Sequence, residues 1–194
     1  SVSAYLFHKD IKNFTYTTNL AGTAPWTSYT SAISYANGDT AKVHGLELSY
    51  SQSLRMLPAP WNLLILGANA GFATSDANRG RFDKTKNTYL TRSIRLPGQS
   101  DRVGNLMLGY EHGPISTRIA LNYKSPYLLE LGSDILAADQ DRIVDTQKQI
   151  DFSFSYQINR QIQVLFEANN LNNEVYYVYQ GQRPLNVQYE QYGR

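Results

Sequence analysis

Between Asp76 and Ser100 the chain gathers Arg79, Arg81, Lys84, Lys86, Arg92 and Arg95, with Phe82 and Tyr89 among them. Cationic groups beside aromatic rings suit an anionic chelate, the face of a sugar or a phosphate, through directed N–H donors and ring stacking. A solvated loop with scattered charge has the same composition. The candidate ligand-contacting residues drawn from this stretch are Arg79, Arg81, Phe82, Lys84, Tyr89 and Arg92. A second polar stretch, Leu128 to Thr146, carries Asp134, Asp139, Asp141 and Asp145. Their carboxylates could supply oxygen ligands to calcium, but the D-x-[DN]-x-[DN]-G spacing of a calcium loop is missing, and no metal is expected.

Catalysis asks for a base and a nucleophile within reach of each other. Of the three histidines, only His44 lies in a strand-like stretch near an acidic neighbour, Glu47; His8 belongs to the first stretch and His112 to a turn. Neither H-E-x-x-H nor G-x-S-x-G nor a phosphate loop occurs. Cysteine is absent, which removes disulfide frameworks, thiolate catalysis and thiolate zinc sites together. With 18 basic and 16 acidic side chains the net charge is only +2, too balanced for a nucleic-acid binder. No catalytic residue and no cofactor is expected.

The elements that must carry these loops are clearest from Gln149 to Leu171. Ile150, Phe152, Phe154, Tyr156 and Ile158 alternate with Asp151, Ser153, Ser155 and Gln157. After Asn159-Arg160, Ile162, Val164, Phe166 and Ala168 alternate with Gln163, Leu165, Glu167 and Asn169. A period of two marks an antiparallel ribbon with one apolar face. About ten residues is also the length of a tilted strand that crosses a bilayer. Mean hydropathy is −0.43. There is no run of about 18 apolar residues, so a helical membrane protein is excluded while a barrel is not.

The same alternation recurs along the chain. Ser1 to Thr18 reads as one long strand, and its opening already looks like mid-strand sequence, so the chain is expected to be a fragment. Asn19 to Asp39 is either a long loop or a strand pair rising beyond a membrane. Strands follow from Lys42, from Trp61 to Ser75, from Asp101 to Glu111 and from Ile115 to Tyr123, with a last one cut off at Arg194. Asp76 to Ser100 and Leu128 to Thr146 lack strand patterning. Short turns at Pro58, Gly113 and Asn159 alternate with long connections, as in outer-membrane barrels. Tyrosine is abundant, 15 residues against 7 Phe and 2 Trp. Tyr50, Tyr110 and Tyr156 precede short turns and Trp61 follows one, while Tyr123 and Tyr127 stand near the opposite ends, as two lipid–water interfaces would select.

Asn169-Asn170-Leu171-Asn172-Asn173-Glu174 followed by Tyr176-Tyr177 resembles the N-L-x-[ND]-x-x-Y signature near the end of TonB-dependent outer-membrane receptors. Gln188 to Arg194 resembles the segment that opens their final strand. Val43-His44-Gly45-Leu46-Glu47-Leu48 and Pro97-Gly98-Gln99-Ser100 with Asn105-Leu106 resemble earlier strands of the same barrels. The resemblance implies an all-β fold: an antiparallel transmembrane barrel segment of about eight meandering strands from a barrel of about 22, with short periplasmic turns and long extracellular loops. Residues 1–194 would be the C-terminal part of the barrel, without the plug domain and the end of the final strand. The family's function implies energy-coupled uptake of a scarce solute across the bacterial outer membrane. Implied partners are a small-molecule or oligosaccharide ligand, outer-membrane lipid and lipopolysaccharide, the plug of the same receptor and, through it, the TonB complex; nucleic acid is not among them. Tyr127-Leu128-Leu129-Glu130-Leu131-Gly132 and the Gln-Tyr-Glu-Gln-Tyr-Gly-Arg ending are similar to receptors for oligosaccharides. A siderophore or other metal chelate is the other solute class. The competing reading is a small self-contained β-barrel binding protein, soluble or membrane-embedded, without energy coupling.

Overall fold

The structure, a computed structural model, describes residues 1–21, 24–83, 88–132, 136–185 and 188–192. Its strands are β1 (Val2–Lys12), β2 (Thr15–Asn19), β3 (Ile33–Asn37), β4 (Thr40–Ser53), β5 (Leu64–Asp83), β6 (Thr88–Ile94), β7 (Arg102–His112), β8 (Ile115–Lys124), β9 (Tyr127–Glu130), β10 (Arg142–Val144), β11 (Gln147–Gln157), β12 (Gln163–Ala168), β13 (Tyr176–Gln180) and β14 (Gln188–Tyr192). The main sheet has eight strands in the order β1-β4-β5-β7-β8-β11-β12, with β6 paired to β5 off this path. Every pairing in it is antiparallel. Each wall strand therefore lies beside the next wall strand along the chain. This is the expected all-β meander.

Register turns the sequence alternation into two chemically different faces. Val2, Tyr50, Ala68, Leu106, Leu121 and Ile150 form one row across six strands. One residue along each strand, Ser3, Ser49, Asn69, Asn105, Asn122 and Gln149 form the adjacent row on the opposite face. A slip of a single residue would exchange the two faces, so the register is strongly specified. The apolar face is uncovered by protein: Leu106 is 50% exposed, Leu121 43% and Phe166 56%. A soluble monomer does not leave so continuous an apolar face open, whereas a barrel wall presents one to lipid. The band also has an edge. Leu6, Leu46 and Phe72 form its last apolar row, followed on the same face by His8, His44 and Thr74 and then by Asp10, Lys42 and Asp76.

The polar face is cross-linked from strand to strand. Asn105 Nδ2 donates to Asn122 Oδ1 at 2.6 Å, and Asn122 Nδ2 donates to Asp151 Oδ2 at 2.8 Å. Asp151 Oδ1 accepts from Gln149 Nε2 at 2.7 Å and from the Asn170 backbone N–H at 2.9 Å. This face lines the inside of the wall, where polar groups keep partners and water.

The short turns fall at one end of the meander. Leu54 N–H donates to Leu64 C=O at 2.8 Å to close the β4–β5 connection. Gly113 takes φ +55° in the two-residue β7–β8 turn, where a side chain is unfavourable. In the β11–β12 turn the Asn159 side chain accepts from the N–H groups of Gln161 and Ile162 at 2.9 and 3.0 Å. Tyr50, Tyr110 and Tyr156 lie toward this end, as expected. Tyr127 does not join an interfacial row at the other end; it begins β9, outside the wall, with Lys124 Nζ 4.0 Å from its ring centre.

Beyond the band the structure departs from the sequence expectations in three places. The first strand does not run to Thr18: Asn13, at φ 54°, ends β1 and donates its N–H to Asp39 C=O at 3.0 Å, so that β2 and β3 form a separate hairpin. The stretch after Asp76 is not a loop without strands, because β5 continues to Asp83 and β6 returns beside it. With 20 residues β5 is roughly 65 Å long, about twice what a bilayer crossing needs. Among the described residues from 176 onward there is no wall strand: β14 pairs with β13 in a second, four-stranded sheet, β14-β13-β10-β9. Gly193 and Arg194 lie outside the described residues.

The Asn-rich turn after β12 closes the top of the wall. Beyond Ala168 no strand among the described residues meets the backbone of β11; the Leu171 N–H, which donates to Ile150 C=O at 2.8 Å, and several side chains take its place. Asn172 Oδ1 accepts from Ile150 N–H at 2.9 Å and its Nδ2 donates to Lys148 C=O at 2.6 Å, while Glu174 Oε1 accepts from Lys148 N–H at 2.9 Å. Asn170 and Asn173 hold φ 56° and 51°, a left-handed backbone that asparagine tolerates. The motif is thus a side-chain continuation of the ladder.

The two-face assignment makes a direct prediction. Leu108→Arg, on the exposed apolar face, should destabilise the folded barrel by about 2–4 kcal/mol. Ser49→Arg, on the polar face, should change it by less than about 1 kcal/mol. Folding titrations of the full-length receptor into lipid vesicles provide the measurement, and equal effects would contradict the assignment.

Candidate functional site

At the long-loop end the inner face carries a small core. Phe14, Tyr16, Ala41, Ala77, Ile94, Leu128 and Leu131 are buried together, with Ile11 and Leu96 against them. These residues come from β2 and the residue before it, the upper parts of β4 and β5, β6, and β9 and the residue after it, so three separate connections meet here. Gly38 permits the closest approach, since a Cβ there would lie 2.2 Å from the Phe14 ring. The second sheet has its own centre in Val144 and Val178, paired across β10 and β13 and fully buried.

The candidate ligand residues sit on the β5–β6 hairpin that rises from this core. Arg79 is half-buried, its guanidinium 3.9 Å from the centre of the Tyr16 ring and its Nη1 3.5 Å from Asn37 C=O. It therefore ties β5 to the β2–β3 hairpin. Arg92 forms a forked pair with Asp141, Nη1 donating to Oδ1 at 3.2 Å and Nη2 donating to Oδ2. Its side chain is 20% exposed and that of Asp141 6%. Arg79 and Arg92 are Cα partners across the hairpin, so a single rung carries both ties. Arg81 pairs with Leu90 and Phe82 with Tyr89 in the backbone register; the side chains of Arg81, Phe82 and Tyr89, and Lys84 entirely, lie outside the described residues.

Three of the four aspartates lie among the described residues. Asp141 is held by Arg92 and accepts from Gly132 N–H at 3.4 Å, Asp145 pairs with Arg183, Asp139 is exposed, and Asp134 lies outside the described residues. Among the described residues no group of three His, Asp or Glu could hold a metal ion. Asp141 and Asp145 are thus engaged in opposite-charge pairs, which no loop pattern reveals. His44 and Glu47 likewise cannot act together, since an odd separation on one strand places them on opposite faces. His44 instead stacks against His8, ring centres 6.4 Å apart, and His8 Nε2 lies 3.3 Å from Asp10 Oδ2.

Sequence reasoning missed Asp141 as the anchor of Arg92 and missed the second sheet entirely. The three residues of β10 and the four of β9 are too short to show a period; the buried pair Val144 and Val178 is evident only once they meet. Where the loops and sheets adjoin lies a cleft of about 590 Å³ lined by Arg92, Arg95, Asp101, Arg102, Tyr123, Tyr127, Asp141 and Tyr179, among others. Burial pushes the Tyr179 phenol above its ordinary value of 10.0, and the Asp145 carboxylate adds to the rise.

A sheet with one lipid-compatible face, one polar face, short turns at one end and folded loops at the other defines the wall of an outer-membrane β-barrel. The family model described as TonB dependent receptor-like, beta-barrel, matches residues 1–171. The chain belongs to that family, which comprises outer-membrane receptors and transporters of Gram-negative bacteria rather than enzymes. No curated protein and no solved structure matches the chain significantly.

The Arg92–Asp141 pair should act as a clamp between the β5–β6 hairpin and the second sheet. Breaking a pair buried to this degree costs about 3–5 kcal/mol locally. Asp141→Ala is expected to expose the loop end to limited proteolysis while the heat-sensitive electrophoretic shift of the folded barrel is kept. Proteolysis indistinguishable from the parent would show that the clamp is not needed.

Proposed function

We propose that residues 1–194 form the C-terminal wall and loops of an outer-membrane receptor that takes up a scarce solute with energy supplied through the TonB complex. A plug domain of the same receptor would occupy the lumen against the polar face and transmit the pull. The observation that carries this reading is the unbroken polar row from Ser3 to Gln149 behind an equally unbroken apolar row. A soluble barrel has no use for an uncovered apolar face of this width; a self-contained membrane barrel would share it, and against that reading stands the family-model match over residues 1–171. Lipid and lipopolysaccharide are the proposed surroundings, and the bacterial outer membrane is the proposed location.

Ligand contact is proposed for the β5–β6 hairpin. Arg79 and Arg92, already engaged within the protein, support the hairpin, and Arg81, Phe82, Lys84 and Tyr89 are the proposed contacts to the solute. Rings and guanidinium groups together favour an oligosaccharide, with a siderophore or other metal chelate as the second class.

The test uses the full-length receptor. Oligosaccharides, ferric chelates and corrinoids are screened for binding, and uptake of any ligand found is followed in cells with and without a proton-motive force. Accumulation that stops when the force is collapsed, together with at least tenfold weaker binding after Arg81→Ala and Tyr89→Ala, is the expected result. Energy-independent accumulation would overturn the coupling, and unchanged binding in both variants would move the ligand site off the hairpin.

A further inference from the structure

We infer that the β2–β3 hairpin is a contact site for a neutral oligosaccharide, its aromatic rings stacking on sugar faces and its hydroxyls meeting sugar hydroxyls. The inference rests on the receptor reading above; of the two solute classes named there it selects an uncharged sugar, and it assigns a contact surface separate from the β5–β6 hairpin. One face of β2 is occupied within the protein, since Phe14 and Tyr16 are buried in the loop core and the Arg79 guanidinium lies against the Tyr16 ring. The strand period sends the neighbouring residues to the opposite face. Tyr35, the Cα partner of Thr17, stands on that face and is 80% exposed, as is Ile33 at 67%. The connection between the two strands, closed by Leu20 N–H donating to Ala32 C=O at 2.8 Å, adds a second aromatic group. There Tyr29 N–H donates to Trp26 C=O at 3.3 Å, and the two exposed rings meet edge to face with their centres 5.7 Å apart.

Lipid does not account for these rings. Leu6 and Phe72 belong to the last apolar row of the band, and β1 runs on from Leu6 to Lys12 before the hairpin begins. That is about 20 Å of strand, or roughly 15 Å of height at the tilt of barrel strands, against about 5–7 Å for one headgroup layer. Arg79, which touches Tyr16, lies as far beyond Phe72 on β5. The hairpin is therefore in water.

Charge names the class of ligand. No residue between Lys12 and Asp39 is charged, and the rings are interleaved with short hydroxyl side chains: Thr27 and Ser28 separate Trp26 from Tyr29, and Ser34 precedes Tyr35. An anionic chelate or a phosphate finds no cation on the hairpin and would give up water without compensation. A sugar ring presents an apolar C–H face to an aromatic ring and hydroxyls at its edge to serine and threonine. A protein partner needs a contiguous apolar centre, which the interspersed hydroxyls interrupt.

The experiment presents the detergent-purified full-length receptor with an array of neutral and uronic-acid oligosaccharides, and calorimetry gives the dissociation constants of those that bind. A neutral oligosaccharide should bind the parent protein more tightly than a uronic-acid oligosaccharide of the same length. Trp26→Ala and Tyr35→Ala should each weaken that binding about tenfold or more. Tyr35→Phe, which keeps the ring, should weaken it less, and Trp61→Ala, an exposed tryptophan beside a short turn at the other end of the wall, should leave it unchanged. An unaltered heat-sensitive electrophoretic shift shows that each variant is folded. Weaker binding in the two alanine variants supports the inference, whether or not Arg81→Ala also weakens it. Binding of no neutral oligosaccharide, a preference for the uronic acids, or unchanged affinity in the Trp26→Ala and Tyr35→Ala variants overturns it. Because no uptake is measured, the two readings fail separately: energy-dependent uptake of a chelate, or a loss of binding in Arg81→Ala alone, leaves the receptor standing and this site refuted.

Discussion

In hydrocarbon a backbone N–H or C=O without a partner is unfavourable by several kcal/mol, and everything in this chain follows from meeting that demand with an antiparallel ladder. The ladder fixes neighbours, neighbours fix register, and register sorts side chains into an apolar and a polar face. Once that sorting is set, the row Val2, Tyr50, Ala68, Leu106, Leu121, Ile150 and the row behind it are two readings of one constraint. The Asn172 and Glu174 side chains show how far the constraint reaches, since they bond the β11 backbone where no strand remains to do so.

Above the band water is available again and a different principle takes over. The loop end is held by an ordinary buried cluster around Phe14, Tyr16 and Ile94 and by arginine contacts between connections. These parts are not bonded to lipid and are not required for the ladder. A receptor can therefore vary or move its loops while the wall stays as it is, which is the division of work that capture at one end and passage through the lumen demand.

The wall was legible in the sequence because its period of two runs for about ten residues at a time, long enough to stand out. Short turns were legible from Pro58, Gly113 and Asn159, whose backbone or side-chain properties act locally. The loop strands were not. The upper half of β5 and the whole of β6 lie outside lipid and need no apolar face, so their alternation carries no signal, and β9 and β10 are too short to have a period at all. All the candidate ligand residues fall on one hairpin, β5–β6 with its connection, because its basic and aromatic composition is local in the sequence. It did not separate Arg79 and Arg92, which are tied to Tyr16 and Asp141, from the residues farther out, because ion pairing and cation–ring stacking across connections depend on folding rather than on spacing.

The 194 residues contain no cysteine, so single cysteines introduced among them and carrying a nitroxide report one position each once any cysteine elsewhere in the receptor is replaced. Placed in turn at residues 149–156 of the full-length receptor in bilayers, they give accessibility to lipid-soluble oxygen and to a water-soluble nickel chelate. The account predicts a period of two, with oxygen favoured at Ile150, Phe152, Phe154 and Tyr156 and the chelate favoured at Gln149, Asp151, Ser153 and Ser155. Oxygen accessibility in the opposite phase, or Phe152 and Phe154 closed to both probes, would place the apolar face in a protein core and contradict it.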